Sequence, residues 1–332
     1  MQAEATRVLN PGFGVGLFMT SYFQIGTDNS KNIVKLVKQA QTAESLGFKS
    51  LFLGHHYLSS SNFLQPISTL AYLAAHTNRI LLGLGVYLLP LHNPLALAEE
   101  LATVHVLSNG RLIAGFGCGY REREFQAFGI PYEQRFSRLE EYASLLGRLW
   151  NGETVSDVGS YGTLINATVH LAKGWNPPDI WLGAFGELGI RRSARLGLSW
   201  LAGPDGTLDI LAQKVKLYCD TSLTLAGSIP KELPLVREVY VGETDKEAIE
   251  FARPYLEKQY SDYKSWDHGL TIEDILQGTA VVGSPETVLK CFKDYQNIGF
   301  TQVVVRSEWP GMSLESSNRS INLLGREVLP HL

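Results

Sequence analysis

The sequence predicts an α/β protein of the (β/α)8 TIM-barrel class. Short apolar segments alternate about eight times with longer amphipathic segments, which is typical of repeated βα units and a parallel sheet. The length of 332 residues suits either two domains or one barrel with insertions. Because no shift in composition marks a linker, we expect a single domain over residues 1–332.

The strands of this barrel are predicted from eight short apolar segments, each bounded by glycine, proline or polar residues. Helical patterns lie between them. Over residues 31–46 the apolar positions recur on one helix face, and Gly47 follows as a left-handed cap. The predicted strands cover residues 13–19, 50–55, 80–86, 111–116, 179–184, 198–202, 235–241 and 301–306.

Two segments interrupt the alternation. Residues 151–175 are rich in Gly, Thr, Ser and Val and contain two turn-prone centres, so they predict a β-hairpin inserted before the fifth strand. Residues 258–279 carry aromatic side chains among polar ones, with Gly269 and Gly278 as hinges. This second segment is either a lid over a site or an extra surface helix and loop.

A doubly wound open sheet is the competing fold. Its support is the glycine-rich segment from Gly115 to Gly119, which could be taken for a dinucleotide-binding fingerprint. The spacing lacks the third glycine of that fingerprint, and the next strong helical pattern starts only near Glu133. The barrel is therefore favoured.

Composition excludes several classes of function. The 29 Lys+Arg and 33 Asp+Glu residues leave a formal charge of -4, without any basic run, so we expect no nucleic-acid and no anionic-membrane partner. The apolar run over residues 80–91 is too short to cross a bilayer. The N-terminal residues show no secretion signal, so we expect a cytoplasmic protein.

The three cysteines, Cys118, Cys219 and Cys291, are widely spaced. Their number and spacing predict free thiols rather than a disulfide framework or a zinc site. No group of His, Cys, Asp or Glu has the spacing of metal ligands, so no metal is predicted.

Two adjacent histidines, His55 and His56, end the second predicted strand. Because successive strand residues point to opposite sides, one should face the barrel mouth and the other a neighbouring surface. A rim imidazole can act as an acid or base or polarise a cofactor, although a purely structural role is the alternative. We interpret His76, His92 and His105 as packing or capping residues.

Glycines cluster at three predicted strand ends, where a barrel wall would prefer branched residues. Glycine in a strand often marks a close approach of backbone to ligand, and the helix predicted from Leu188 can bind a phosphate through its first amides. The pattern predicts a flat ligand with a phosphate tail, with tight packing of helices on strands as the alternative. The three groups are Gly83 and Gly85; Gly115, Gly117 and Gly119; and Gly183, Gly186 and Gly189.

Ordered sequence blocks run through nearly the whole chain. They include residues 89–94 (LPLHNP), 115–119 (GFGCG), 124–129 (EFQAFG), 135–138 (RFSR), 180–184 (IWLGA), 191–197 (RRSARLG) and 282–286 (VGSPE). These blocks resemble the bacterial luciferase-like flavin monooxygenases. The resemblance implies a (β/α)8 barrel that binds reduced flavin mononucleotide (FMN) at its C-terminal mouth, supplied by a separate NAD(P)H-dependent flavin reductase.

The same resemblance implies the reaction and the role of the histidines. In this family O2 adds to flavin C4a, and the peroxyflavin oxidises an aldehyde or inserts oxygen into an organic substrate. His55 matches the catalytic histidine. His56 matches a neighbour that bonds across the subunit interface to a glutamate, here Glu99. A homodimer through helices over residues 66–76 and 94–107 is implied as well.

The remaining site residues also follow from the resemblance. A non-prolyl cis peptide falls on Gly85-Val86, under the flavin ring. The resemblance assigns Phe18 to the substrate side. Apart from the resemblance, we expect Phe18, Tyr22, Tyr57 and Tyr87 at the mouth, and this aromatic lining favours a small apolar or aromatic substrate. The flavin phosphate is assigned to Phe185, Gly186 and Gly189, and the ring or its tail to Gly117, Cys118, Ala202, Gly203 and Pro204.

Two departures from the family pattern affect these assignments. Gly54 precedes His55 where luciferases often carry an acidic residue, and Cys118 replaces an arginine that contacts the flavin phosphate. Arg121 or Arg123 could supply the missing charge. Two other functions stay open: hydride transfer with a deazaflavin on the same barrel, and flavin binding without catalysis. Light emission is less favoured than dark oxygenation.

Overall fold

The computed structural model describes residues 12–171, 176–262 and 271–332. Strands and helices alternate along these residues. The strands are β1 (Gly14–Met19), β2 (Tyr22–Phe23), β3 (Ser50–Leu53), β4 (Asn62–Phe63), β5 (Leu81–Leu84), β6 (Tyr87–Leu88), β7 (Leu112–Gly117), β8 (Val155–Gly159), β9 (Gly162–Ala167), β10 (Asp179–Ala184), β11 (Ser199–Ala202), β12 (Pro234–Val241), β13 (Val281–Gly283) and β14 (Gln302–Arg306).

The helices mostly follow the longer strands. They are α1 (Asn29–Ser45), α2 (Pro66–Ala74), α3 (Pro94–Leu107), α4 (Glu122–Ala127), α5 (Arg135–Trp150), α6 (Glu187–Arg195), α7 (Leu208–Leu225), α8 (Asp245–Asp262), α9 (Ile272–Asp274), α10 (Pro285–Asn297) and α11 (Leu314–Leu323).

All eight predicted barrel strands are present, as β1, β3, β5, β7, β10, β11, β12 and β14. Their ends differ from the predicted ends by at most two residues. One of these differences affects the candidate site. The strand β3 ends at Leu53, so His55 and His56 lie in the loop after the strand and not at its end. The predicted cap at Gly47 is also confirmed, because this glycine has φ +87° and its N–H bonds to the Glu44 carbonyl at 3.2 Å.

The described chain falls into two compact units. The first contains residues 12–19, 41–51 and the described part of 185–332, and the second contains residues 20–40 and the described part of 52–184. Whether the chain is a single domain stays a prediction.

In the first unit β14 lies between two parallel neighbours. It pairs with β1 on one side and with β12 on the other, and β11 and β13 also run parallel to β12. The consecutive residues Val303, Val304 and Val305 are all buried. Such an uninterrupted apolar run is typical of parallel strands covered on both faces.

In the second unit β7 is the central strand. It pairs in parallel with β5, β6 and β10. The Phe52 and Trp181 rings stack at a centroid distance of 5.3 Å in the buried core of this unit. These strands position the segments that follow β3, β6 and β7, where the histidines and their partners lie.

The predicted hairpin is confirmed as the antiparallel pair β8 and β9, closed at Gly159 and Gly162. Of the predicted lid, residues 263–270 lie outside the described residues. The described flanks are the end of α8 and the short α9, followed by a π-helical turn over Ile275–Thr279. Among the described residues, no helix has the length and hydropathy needed to span a membrane.

Candidate functional site

His55 lies in the loop after β3, and its side chain is fixed by two hydrogen bonds. The Leu88 backbone N–H donates to Nδ1 at 3.2 Å, so Nδ1 must be an unprotonated acceptor. Nε2 then carries the proton and donates to Gln65 Oε1 at 3.0 Å. The Gln65 amide is itself oriented by its Nε2, which donates to the His56 carbonyl at 3.4 Å. His55 is therefore a neutral imidazole in one tautomer.

Aromatic rings enclose this imidazole. Tyr87 stacks on it at 4.1 Å between centroids with an interplanar angle of 8°, and Tyr57 meets it edge-on at 4.6 Å. His55 is only 3% exposed. This burial, with a smaller effect of His92, lowers the pKa of His55 to about 3.

His92 belongs to the same cluster, although the sequence interpretation assigned it to packing or capping. Its Nε2 lies 3.4 Å from the Tyr57 hydroxyl and its Nδ1 lies 3.5 Å from the Tyr87 hydroxyl. Burial lowers the pKa of His92 to about 4 and raises the pKa of both tyrosines. All four side chains are thus uncharged at neutral pH. We call Tyr57, His55, Tyr87 and His92 the aromatic cluster.

His56 lies in a different environment from His55, although neither residue is in the strand on which the prediction of opposite faces was based. Its Nδ1 lies 3.1 Å from Glu124 Oε1, and its Nε2 lies 3.5 Å from the Tyr120 hydroxyl. Glu124 Oε1 also accepts the Tyr57 backbone N–H at 2.9 Å. The carboxyl group therefore orients His56 and the loop backbone together.

Glu124 on α4 is fully buried, and its Oε2 has no hydrogen-bond partner among the described residues. The carboxyl partner of His56 within the chain is thus Glu124. Glu99 lies exposed on α3, and its predicted role at a subunit interface stays a prediction.

The predicted cis peptide between Gly85 and Val86 is present. The glycines around it, however, are required by packing of the protein on itself. A Cβ on Gly117 would lie 2.5 Å from a Val86 methyl, and a Cβ on Gly183 would lie 2.8 Å from the other. On Gly115 it would lie 1.9 Å from the Leu84 carbonyl oxygen.

This corrects the interpretation of the strand glycines as open strand ends that approach a ligand. The same holds for Gly83 and Gly85, whose Cβ atoms would meet the Phe52 ring at 2.2 and 3.1 Å. Tight packing accounts for these five glycines, although it is packing against neighbouring strands and the segment after β5 rather than of helices on strands. The flavin contacts assigned to Gly85, Val86 and Gly117 rest on the resemblance alone and stay predictions.

The first unit holds the residues assigned to the flavin phosphate. Gly186 is the N-cap of α6, has no side-chain cap, and a Cβ there would meet no atom within 4 Å. Gly189 lies in the first turn, where its N–H bonds to the Gly186 carbonyl at 3.0 Å. The Phe185 ring packs on Gly203, where a Cβ would lie 2.1 Å from it. The structure therefore brings the segments after β10 and β11 together; Ala202 ends β11, and Gly203 and Pro204 follow it.

Cys118 stands where the family has a phosphate-binding arginine, and the two arginines expected to replace that charge make other contacts. Cys118 is half-buried just after β7 and forms no disulfide. Arg123 donates to the Leu58 carbonyl at 2.7 Å, and Arg121 Nη1 lies 3.9 Å from Glu124 Oε1. Phe18 is half-buried on β1 in register with Arg306, and its role toward substrate stays a prediction.

No group of three His, Cys, Asp or Glu side chains is placed to hold a metal ion within the part of the chain that the structure describes. Within the second unit, uncharged aromatic and imidazole side chains lie beside a buried carboxyl group; the first unit separately holds the uncapped start of α6.

Comparison with known families decides the classification. The sequence model of the luciferase-like monooxygenases matches residues 14–302. The chain belongs to the luciferase-like monooxygenase family. Its members and their relatives are monooxygenases and other oxidoreductases, so this chain is an enzyme of that group.

Relatives with different activities are similarly distant in sequence. The chain is 27% identical to a limonene 1,2-monooxygenase of Rhodococcus erythropolis, over 95% of this chain and 86% of the relative. It is also 27% identical to an F420-dependent glucose-6-phosphate dehydrogenase of Kribbella flavida, over 90% of this chain and 93% of the relative. The family thus includes flavin and F420 enzymes.

Solved structures share the fold. Monooxygenase RslO1 of Streptomyces bottropensis superposes with a TM-score of 0.84 at 25% identity, covering 96% of this chain and 99% of that one. The oxygenating constituent of 3,6-diketocamphane monooxygenase of Pseudomonas putida, in complex with FMN, gives a TM-score of 0.81 at 20% identity, covering 97% and 99%. The predicted (β/α)8 class is confirmed.

A phosphate-bearing cofactor fits the uncapped start of α6. The first amides of a helix generally have no partner within the helix and bind anions well; at α6 the Gly189 N–H is already bonded to the Gly186 carbonyl, so the fit rests on the amides before Gly189. The space beside Gly186 is clear of protein atoms, so these amides can be approached. This fit holds for either cofactor of the family, because both carry phosphate.

Sequence reasoning missed three residues of this site: Gln65, His92 and Glu124. Glu124 was inside a quoted family block, and His92 was inside another, so the blocks themselves were the available signal. Gln65 precedes Pro66 at the start of α2, and nothing in the sequence links it to His55. Only folding places the amide beside the imidazole.

Proposed function

We propose that this protein is an FMN-dependent monooxygenase. It takes reduced flavin from a separate NAD(P)H-dependent reductase and uses O2 to oxidise a small apolar organic substrate or an aldehyde. Bound reduced flavin supplies the electrons that activate O2.

The observation that carries the proposal is the uncharged state of the aromatic cluster. Burial keeps both imidazoles neutral near pH 7, and the two phenols are neutral there because their ordinary pKa is near 10. A sugar phosphate would call for cationic side chains that form charge-assisted bonds, and the cluster holds none. Apolar rings instead favour an apolar substrate, as in the limonene monooxygenase relative.

His55 contributes a proton held at one atom. Nδ1 accepts a backbone N–H, so only Nε2 can exchange its partner without the loss of a main-chain hydrogen bond. Nε2 therefore keeps its proton in a fixed direction. Its hydrogen bond can change partner, from Gln65 to an oxygen of a bound reactant. A neutral donor in a dry site acts more strongly than it would in water.

The cofactor phosphate is assigned to the amides at the start of α6, beside Gly186 and Gly189. A homodimer is proposed as well. The helices that the resemblance places at the dimer surface expose apolar side chains, with Tyr72 at 47%, Val106 at 43% and Leu107 at 58%. Sedimentation at micromolar protein concentration tests this, and a monomer contradicts it. A cytoplasmic location stays a prediction.

The test begins with an anaerobic titration of reduced FMN into the purified protein. Rapid mixing with O2 follows, with O2 uptake measured in the presence of limonene and of an aliphatic aldehyde. We expect saturable binding and substrate-dependent O2 uptake. Binding without O2 uptake would contradict the monooxygenase and favour a flavin-binding protein without catalysis.

A variant locates the phosphate. Gly186→Asp places a carboxylate at the N-cap, where Asp stabilises helices, so the fold should be retained. Its charge should repel the phosphate and weaken FMN binding by about tenfold or more. The neutral cap variant Gly186→Asn is the control and should bind more tightly than Gly186→Asp. Equal affinity of the two variants for FMN would mean that the phosphate does not bind at this helix.

An F420-dependent dehydrogenase is the second candidate, supported by the relative from Kribbella flavida. Oxidation of an alcohol by hydride transfer needs a base for the hydroxyl proton. His55 is poorly suited to this role, since its pKa is about 3 and its Nδ1 is occupied. Substrate-dependent reduction of F420 under anaerobic conditions would favour this candidate over the monooxygenase.

A further inference from the structure

A cleft of about 430 Å³ lies in the second unit, apart from the predicted cofactor and substrate residues. The start of α3, one face of α5 and the hairpin β8–β9 form its walls. Its volume lies within the range of small-molecule sites. The proposed monooxygenase reaction uses none of the charged groups of this cleft, so this inference does not rest on it.

Arg138 on α5 is a cation in the cleft wall, and it forms no salt bridge with a carboxylate of the described residues. Its Nε donates to Gln134 Oε1 at 3.1 Å, and its Nη1 donates to the Tyr142 hydroxyl at 2.8 Å. Its Cζ lies 4.4 Å from the centre of the Tyr161 ring. No carboxylate forms an ion pair with Arg138 among the residues that the structure describes. Neutral groups thus hold the guanidinium in place and leave its charge uncompensated.

The other charged groups of the wall are already engaged. Arg148, also on α5, pairs with Asp157 at 2.9 Å and with Glu153 at 2.6 Å. Glu141 Oε2 accepts the Ser160 backbone N–H at 3.2 Å. Among the described cations of the wall, Arg138 is therefore the one that no carboxylate within 4 Å pairs, while Glu141 remains a carboxylate in the same wall.

The rest of the wall is partly apolar, with Leu91, Ile130, Leu145 and Leu164. We propose that the cleft binds an organic carboxylate, with the carboxylate on Arg138 and the carbon chain against these side chains. A guanidinium matches a carboxylate through two parallel N–H···O bonds. A single uncompensated cation suits a monoanion better than a phosphate dianion.

His92 lies between this cleft and the aromatic cluster. Its ring lines the cleft, while its nitrogens face the Tyr57 and Tyr87 hydroxyls. The two sites are neighbours with separate ligand chemistry: one is cationic, and the other is uncharged.

Calorimetric titration with hexanoate tests the proposal, and 1-hexanol is the uncharged comparison. The wild type should bind hexanoate saturably and more tightly than hexanol. Arg138→Gln should weaken hexanoate by about tenfold or more, since charge-assisted hydrogen bonds are lost. Arg148→Gln is the matched control in the same wall and should change the affinity by about twofold or less, because that charge is already paired.

A His55→Ala variant shows whether hexanoate binds in the cleft or at the aromatic cluster. It should leave hexanoate affinity unchanged. If His55→Ala lost hexanoate binding and Arg138→Gln kept it, the carboxylate would lie at the aromatic cluster and the proposal would be overturned. Absence of saturable hexanoate binding, or equal affinity for hexanoate and hexanol, would also overturn it. If Arg138→Gln does not fold, Arg138→Lys keeps the charge without the planar fork, and it should still weaken hexanoate measurably.

Discussion

His55 and His56 are adjacent in sequence, yet they lie in opposite kinds of environment. His55 is enclosed by aromatic rings and bonds to an amide and a backbone N–H. His56 bonds to a fully buried carboxyl group, Glu124. The difference shows that two adjacent residues of one loop lie in an uncharged environment and in one that contains a carboxyl group.

The largest expected effect separates the two histidines by activity. His55→Ala should lower substrate-dependent O2 uptake by roughly 10²-fold to 10³-fold, the usual cost of losing one preorganised hydrogen-bond donor. His56→Ala should have a smaller effect, because it alters orientation of the loop. Steady-state rates with reduced FMN measure both. A greater loss in His56→Ala would reverse the assignment of the catalytic histidine.

The partners of the two histidines should differ in their effect on stability. Glu124→Ala removes the acceptor for His56 Nδ1 and the Tyr57 N–H and leaves a cavity, so the free energy of unfolding should fall by about 3 kcal/mol. Gln65→Ala, at an exposed position, should cost about 1 kcal/mol. Urea unfolding gives both values. Glu122→Ala, at an exposed position on the same helix, is the control. If it lowered the free energy of unfolding as much as Glu124→Ala, the structural role of Glu124 would be wrong.

Acid should destabilise the protein through the aromatic cluster. A histidine in the unfolded chain has a pKa of 6.5, and folded His55 has a pKa of about 3. Between these values the unfolded state binds the extra proton, so stability rises with pH and is lost as pH falls from 6.5 toward 3. From pH 7 to pH 5, His55 should account for a loss of about 2 kcal/mol.

His55→Phe keeps a ring in the cluster without the titrating group, so its loss between pH 7 and pH 5 should be smaller by that amount. Tyr87→Phe removes no imidazole and should keep the wild-type dependence on pH. Urea unfolding at the two pH values measures the difference. An unchanged slope in His55→Phe would mean that the imidazole is protonated within the fold.

The smallest expected effects concern the tyrosine hydroxyls. Tyr57→Phe and Tyr87→Phe each remove one long contact to His92, 3.4 and 3.5 Å. Each should therefore lower the free energy of unfolding by about 1 kcal/mol or less. Thermal unfolding is sufficient to compare them. A loss as large as that of Glu124→Ala would indicate a tightly coupled network around His92.

Much of the fold was predictable from local pattern. The eight apolar segments appear as strands, Gly47 appears as a left-handed cap, and the turn-rich insertion appears as β8 and β9. These features depend on interactions between residues close in sequence, and therefore periodicity and turn residues report them. The strand glycines misled us, because a glycine needed by a neighbouring side chain looks the same in sequence as one needed by a ligand.

Part of the site was also predictable. The resemblance pointed to His55, and the cis peptide at Gly85-Val86 is present. The contacts of His55 with Gln65 and of His56 with Glu124 were not predictable, since ten and 68 residues separate the partners. The sign of the pKa shift at His55 depends on burial by rings from three segments, which no local pattern contains.

The sequence by itself determined the alternation of strands and helices, the insertion and the family. Only the tertiary structure decided which histidine is enclosed and neutral, which carboxyl group holds its neighbour, and why the strand glycines are needed. The physical reason is that strand and helix propensities act over a few residues. Desolvation, ring stacking and close backbone packing instead depend on side chains that meet only after the chain has folded.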